Sequence, residues 1–228
     1  MENEKVISYL NVNNAVKADK SLPKIFLCFN IGLTAFLSIF SILLFPPSNY
    51  YIYILFGILD ITYLIFLMKY HNPLWEIPLS SLGLVILIVK SFYGYVITSQ
   101  FEFIKAQIPM FTWIHTVVLV LAIGITAYLW AKFYQAYKIL KDNTIEEAKE
   151  KVASKNPMPK WVALIASLSG SPMILVRMLR DDFENLGLGL GFSMWALGVV
   201  FAVIFGMSLP KCVVLIRFRV WNFPEYRK

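Results

Sequence analysis

Residues 25–45 read IFLCFNIGLTAFLSIFSILLF, a run without a single charged side chain. At about 1.5 Å rise per residue, a helix of this length covers roughly 30 Å, the thickness of a bilayer's hydrocarbon core. No water reaches the backbone at that depth, so only a helix or a closed barrel satisfies its polar groups. The run lacks the polar–apolar alternation of barrel strands, and it is predicted to be a transmembrane helix. Residues 185–210 repeat the pattern near the other end of the chain, and comparable runs lie between.

Working outward from that stretch, six spans are predicted: 25–45, 50–68, 77–99, 108–131, 161–176 and 186–209. Breakers punctuate them. Pro46-Pro47-Ser48-Asn49 forms a tight first junction, Asn72-Pro73 lies in the second, Pro109 opens the fourth span, and Pro157 and Pro159 precede the fifth. The fifth span is the shortest, and its Ser167-Leu168-Ser169-Gly170-Ser171-Pro172 stretch leaves a re-entrant segment as the alternative. Placing the N-terminus in the cytoplasm puts 17 Lys and Arg residues on the inside and 3 on the outside, with Lys90 inside a span. That asymmetry follows the positive-inside rule and predicts both termini in the cytoplasm, together with a cytoplasmic loop over 132–160. Trp75, Trp130, Trp161 and Trp221 fall near the inner boundaries, where amphipathic rings settle. Thr144 and Glu147 have the spacing of a capping box and start a short helix in the loop.

With 58% hydrophobic and 15% charged residues, the length of 228 is almost all committed to spans and their connections, so residues 1–228 are read as one membrane domain. The fold class expected is all-α: a polytopic bundle of about six transmembrane helices in the cell membrane. Its net charge of +7 sits in the loops, matching an anionic inner leaflet, and nucleic acid is not expected as a partner. Cys28 and Cys212 are too few for a disulfide framework or a metal centre. The first run is about twice the length of a signal-peptide core and no small-residue cleavage site follows it, so a retained span is expected. Richness in Lys, Ile, Phe and Tyr over Arg points to an AT-rich bacterial genome.

Asp60 and Lys90 are the informative exceptions. Each would cost about 2.5 to 3.5 kcal/mol at a span centre if left alone. Asp60 lies ten residues in from Tyr50, and Lys90 about nine from the opposite end of the next span. Antiparallel neighbours would bring them to one depth, either as a register-fixing pair or as the lining of a solute pathway. His115, somewhat shallower, and Tyr93 are candidate polar neighbours. In the last span, Gly187, Gly191, Gly198, Ala202 and Gly206 recur at spacings that favour close helix packing, inside the monomer or across a homodimer. Arg180, Asp181, Asp182 and Glu184 form a charged outer loop, a solvated turn or a recognition surface.

Catalytic patterns are weak. Ser167 stands where a G-x-S-G nucleophile motif requires glycine, and both histidines precede it. Cys28 and His71 both approach the inner face, which allows a thiol–imidazole membrane peptidase, but nothing local supports a dyad. No cofactor and no metal are expected. The leading expectation is a non-catalytic membrane protein that protects its producer from a secreted membrane-active toxin or bacteriocin, or otherwise binds a membrane partner. The alternative is a small transporter or permease subunit that uses Asp60 and Lys90.

Overall fold

The computed structural model describes residues 2–10, 21–44, 50–70, 73–98, 108–142, 145 and 183–223. Those residues are helical apart from Tyr70, the turn at Phe218 and Arg219, and Phe223, with no strand among them. They form α1 (Glu2–Leu10), α2 (Ser21–Leu44), α3 (Tyr50–Lys69), α4 (Glu76–Thr98), α5 (Ile108–Asp142) and α6 (Phe183–Arg217). Five of these helices contain stretches long and apolar enough to cross a membrane: Leu22–Ile39, Tyr51–Lys69, Glu76–Ile97, Leu119–Lys141 and Ser193–Arg217. The predicted fifth span, 161–176, and most of the loop over 132–160 beyond Asp142 lie outside the described residues.

Proline position explains several boundaries. Pro23, Pro78 and Pro109 sit in first turns, where a missing N–H breaks no intrahelical bond. Pro210 is different, because α6 runs through it to Arg217, eight residues past the predicted end at 209. The helix continues past the expected end because Val214 and Leu215 have an apolar cluster to enter. That cluster joins Val6, Tyr9 and Leu10 of α1 to Leu74, Ile139 and Val220. Trp75 extends it by stacking between Tyr70 and Trp221, at ring separations of 4.0 and 5.6 Å. Burial pushes the Tyr9 hydroxyl above its ordinary pKa, so it stays neutral in the cluster.

Side-chain contacts fix the direction of each helix. Asn30 meets Gly83 and Leu37 meets Gly94, so α2 and α4 run parallel. Between them α3 returns antiparallel, with Thr34 on Asp60 and the Tyr63 hydroxyl placed to give its one proton to the carbonyl of Leu79, at 3.0 Å, with that of Pro23 at 3.2 Å. The α4–α6 pair is antiparallel: Ser81 meets Ser208 and Cys212 at 3.0 Å, while Phe92 covers Gly198 and Gly94 faces Met194. On the other flank of α6, Gly206 lies against Tyr128 and Leu129, and Ile139 shares a cluster with Val214. Both numbers rise together along that interface. Thus α5 and α6, consecutive in the described chain, point the same way and finish at the same end of the bundle as α1.

Candidate functional site

Asp60 and Lys90 meet where α2, α3 and α4 converge. Lys90 Nζ donates to Asp60 Oδ1 at 2.5 Å, with Lys90 fully buried and Asp60 6% exposed. The ammonium also donates to the carbonyl of Asn30 at 3.2 Å, and the Phe56 ring lies 5.6 Å away on the α3 side. The second carboxylate oxygen is held by Thr34, whose Oγ1 is 2.7 Å from Asp60 Oδ2 and 3.0 Å from the Asn30 carbonyl. One hydroxyl proton serves one acceptor, and the shorter contact to the charged oxygen takes it. Four residues from three helices therefore form one unit, and each charge has an opposite charge plus a neutral partner.

Asn30 is its pivot. The side chain is fully buried, and Nδ2 spends its two protons on the carbonyls of Phe26 and Gly83, at 2.9 and 3.1 Å. Its Oδ1 meets no donor among the described residues. Close approach of α4 to α2 depends on Gly83, where an added Cβ would sit 2.6 Å from the Tyr63 hydroxyl oxygen and 3.0 Å from Phe26 Cβ. Asn30 and Thr34 did not stand out in the sequence, because single amides and hydroxyls are common in apolar helices. Their spacing of four residues, on the face that also carries Leu37, was the available signal.

The other predicted residues separate. Tyr93 is near the pair but packs edge-on against Phe56 and Tyr53, with centroids 5.3 and 6.3 Å apart, and makes no bond to either charge. The His115 side chain lies outside the described residues, as do Arg180, Asp181 and Asp182; Glu184 falls in the first turn of α6, and its side chain is likewise outside them. Among the small residues of α6, Gly191, Gly198, Ala202 and Gly206 are buried within this one chain. Gly198 faces α4 and Gly206 faces α5, so the two serve different interfaces, whereas the surroundings of Gly187 are not described. His71 is outside the described residues, so no dyad with Cys28 is defined.

Cys28 marks a second feature. It is exposed and lines an apolar groove of about 400 Å³ with Gly32, Leu33 and Phe36 of α2, Leu87 of α4, and Met194, Leu197 and Phe201 of α6. That volume falls in the usual range for ligand pockets, about 300 to 1,000 Å³. Gly32 has nothing within 4 Å of the place a Cβ would occupy, which leaves the groove floor open. On α2 the groove residues Cys28, Gly32 and Phe36 lie on the side of the helix away from Asn30 and Thr34. No group of His, Cys, Asp and Glu fit to hold a metal occurs among the described residues. In comparison with known proteins, no family description matches this chain, and neither a curated protein nor a solved structure is significantly similar to it.

Proposed function

We propose that this chain is a non-catalytic cell-membrane protein of six spans, with both termini in the cytoplasm, that acts by binding a membrane-embedded partner. A self-protection protein against a secreted membrane-active toxin is the form of that function we favour. The observation that carries the reading is the lateral groove. It is apolar, it opens at the level of Cys28 to Phe36 within an apolar helix, and its occupant must therefore reach it through the membrane. Side chains of an apolar toxin helix match it in chemistry and size. The Asp60–Lys90 unit then acts as a lock that holds α2 against α4 and keeps the groove's shape, and Arg180, Asp181, Asp182 and Glu184 supply contacts outside the membrane. Six spans and cytoplasmic termini draw support from the 17 to 3 distribution of basic residues and from the parallel course of α5 and α6.

The test is protection of a sensitive host, expressing this chain, against a membrane-active toxin whose gene lies beside this chain's gene, if the neighbouring genes encode one. Protection should survive Cys28→Ala, Cys212→Ala, Ser169→Ala and His71→Ala made together, and should be lost with Gly32→Trp, which fills the groove. A stably inserted quadruple variant without activity would overturn the binding reading in favour of a covalent enzyme. A transporter is the second reading, favoured by the unmatched Asn30 Oδ1 beside a buried ion pair. It replaces the first if purified protein in liposomes moves a solute and Asp60→Asn stops that movement.

A further inference from the structure

α5 is the least covered of the five long helices: 6% of its Leu119–Lys141 stretch is buried, against 50% for Glu76–Ile97 of α4. Its 35 residues make about 52 Å of helix, well past the roughly 30 Å of a hydrocarbon core. The last turns are held on one side, where Ala136 and Ile139 are buried and Ile139 joins Val214 and Val220. On the other side Trp130, Phe133, Tyr134 and Tyr137 are 50 to 67% exposed. At 3.6 residues per turn these four rings share one stripe about 100° wide, and Lys138 and Lys141, both exposed, stand at its end. Leu119 and Ile123, exposed further back, continue the same stripe towards the middle of the helix.

Charge says what this face takes. No acidic residue occurs between Leu129 and Lys141. Arg217 and Arg219, which flank the Val214–Val220 contact at the end of α6, are exposed as well. The acidic side chains described at this end of the bundle, Glu4 and Glu76, belong to α1 and α4. We propose that the Trp130–Lys141 face of α5, together with Arg217 and Arg219, is a binding site for anionic phospholipid. The ring bodies pack on acyl chains, while the tyrosine hydroxyls and the Trp130 indole N–H reach the ester and phosphate oxygens. The cations beyond them take the phosphate charge. Continuity with Leu119 and Ile123 favours a lipid over a soluble acidic partner, which would meet only the basic end of the stripe. The site differs from the general pull of an anionic leaflet in being local. Lys24 and Lys69 are exposed at the same end of the bundle, on α2 and α3, and are not part of it.

The test uses the full chain, stripped of host lipid in detergent and given equal amounts of phosphatidylglycerol and phosphatidylcholine. Native mass spectrometry then counts the lipids that stay bound. Phosphatidylglycerol should be retained in severalfold excess. Lys138→Gln with Lys141→Gln should bring that excess close to one, whereas Lys24→Gln with Lys69→Gln, which removes the same charge from the same end, should leave it unchanged. Tyr134→Ala with Tyr137→Ala should lower the number of phosphatidylglycerol molecules retained, at unchanged thermal stability because both rings are exposed. No excess in the unaltered chain, or equal losses in the two lysine pairs, would overturn the proposal. So would a disulfide between two chains through Tyr134→Cys, made in a Cys28→Ala and Cys212→Ala background in native membranes, since it would assign the face to a second copy. Gly32→Trp should leave the excess unchanged, so failure of the groove reading and failure of this one are told apart.

Discussion

Asp60 and Lys90 show how a residue-level conflict is settled in an apolar bundle. Asp60→Asn or Lys90→Met alone leaves one charge buried without its counterpart, and each should destabilise the protein by about 3 to 5 kcal/mol, read as lowered thermal stability in detergent. The double variant should recover most of that loss, and additive losses would show that the pair contributes little as a pair. Asn30→Leu should cost comparably to one single variant, because it frees the carbonyls of Phe26 and Gly83 from their donor. The charged pair was legible in the sequence because two like-depth charges in otherwise apolar runs demand each other. Asn30 and Thr34 were not, since their role exists only once α2 lies beside α4 and α3. Arg219 is another residue that no pattern announced. It holds a left-handed backbone, φ 46° and ψ 49°, in the turn after α6, and its side chain is exposed. Arg219→Gly should stabilise the protein by up to about 1 kcal/mol, measurable as a raised midpoint of thermal unfolding.

Element boundaries were legible wherever hydropathy alone decides them: α2, α3 and α4 each begin and end within four residues of the predicted spans. Where an end is set by packing, the sequence said less. α1 is nine residues of modest amphipathicity, and only its contact with the far end of α6 explains why Val6, Tyr9 and Leu10 are buried. The extension of α6 past Pro210 has the same origin. Glycines make the point quantitatively. Gly206 has no room, since a Cβ would lie 2.6 Å from a Tyr128 ring carbon, so Gly206→Ala should destabilise the α5–α6 contact by about 1 to 3 kcal/mol. Gly57 on the open face of α3 has nothing within 4 Å, and Gly57→Ala should be neutral or up to about 1 kcal/mol more stable. Thermal unfolding of the two variants side by side checks both signs. Spacing in the sequence singles out Gly206, within the run of small residues in the last span, but it does not measure the room at either glycine.

For the whole molecule, orientation is the decisive unknown that charge counting addresses. Single cysteines at Asn49, Gln100 and Asp182 should react with an impermeant thiol reagent added outside intact cells, while cysteines at Asn143 and Asn222 should be protected. Reaction at Asn222 would place the end of α6 outside and refute cytoplasmic termini. The order in which the bundle closes follows from one contact set already described, the antiparallel α4–α6 interface of Ser81 with Ser208 and Cys212. Those partners are more than a hundred residues apart, and α1 likewise waits for Val214 and Leu215. While a ribosome is still extending the chain, α2, α3 and α4 can already lock through Asn30 and Lys90, but one flank of α4 lacks its cover until α6 is made. An interrupted chain would thus keep its buried charges paired while the α6-facing side of α4 stays uncovered, and synthesis of α6 is the step that closes that side.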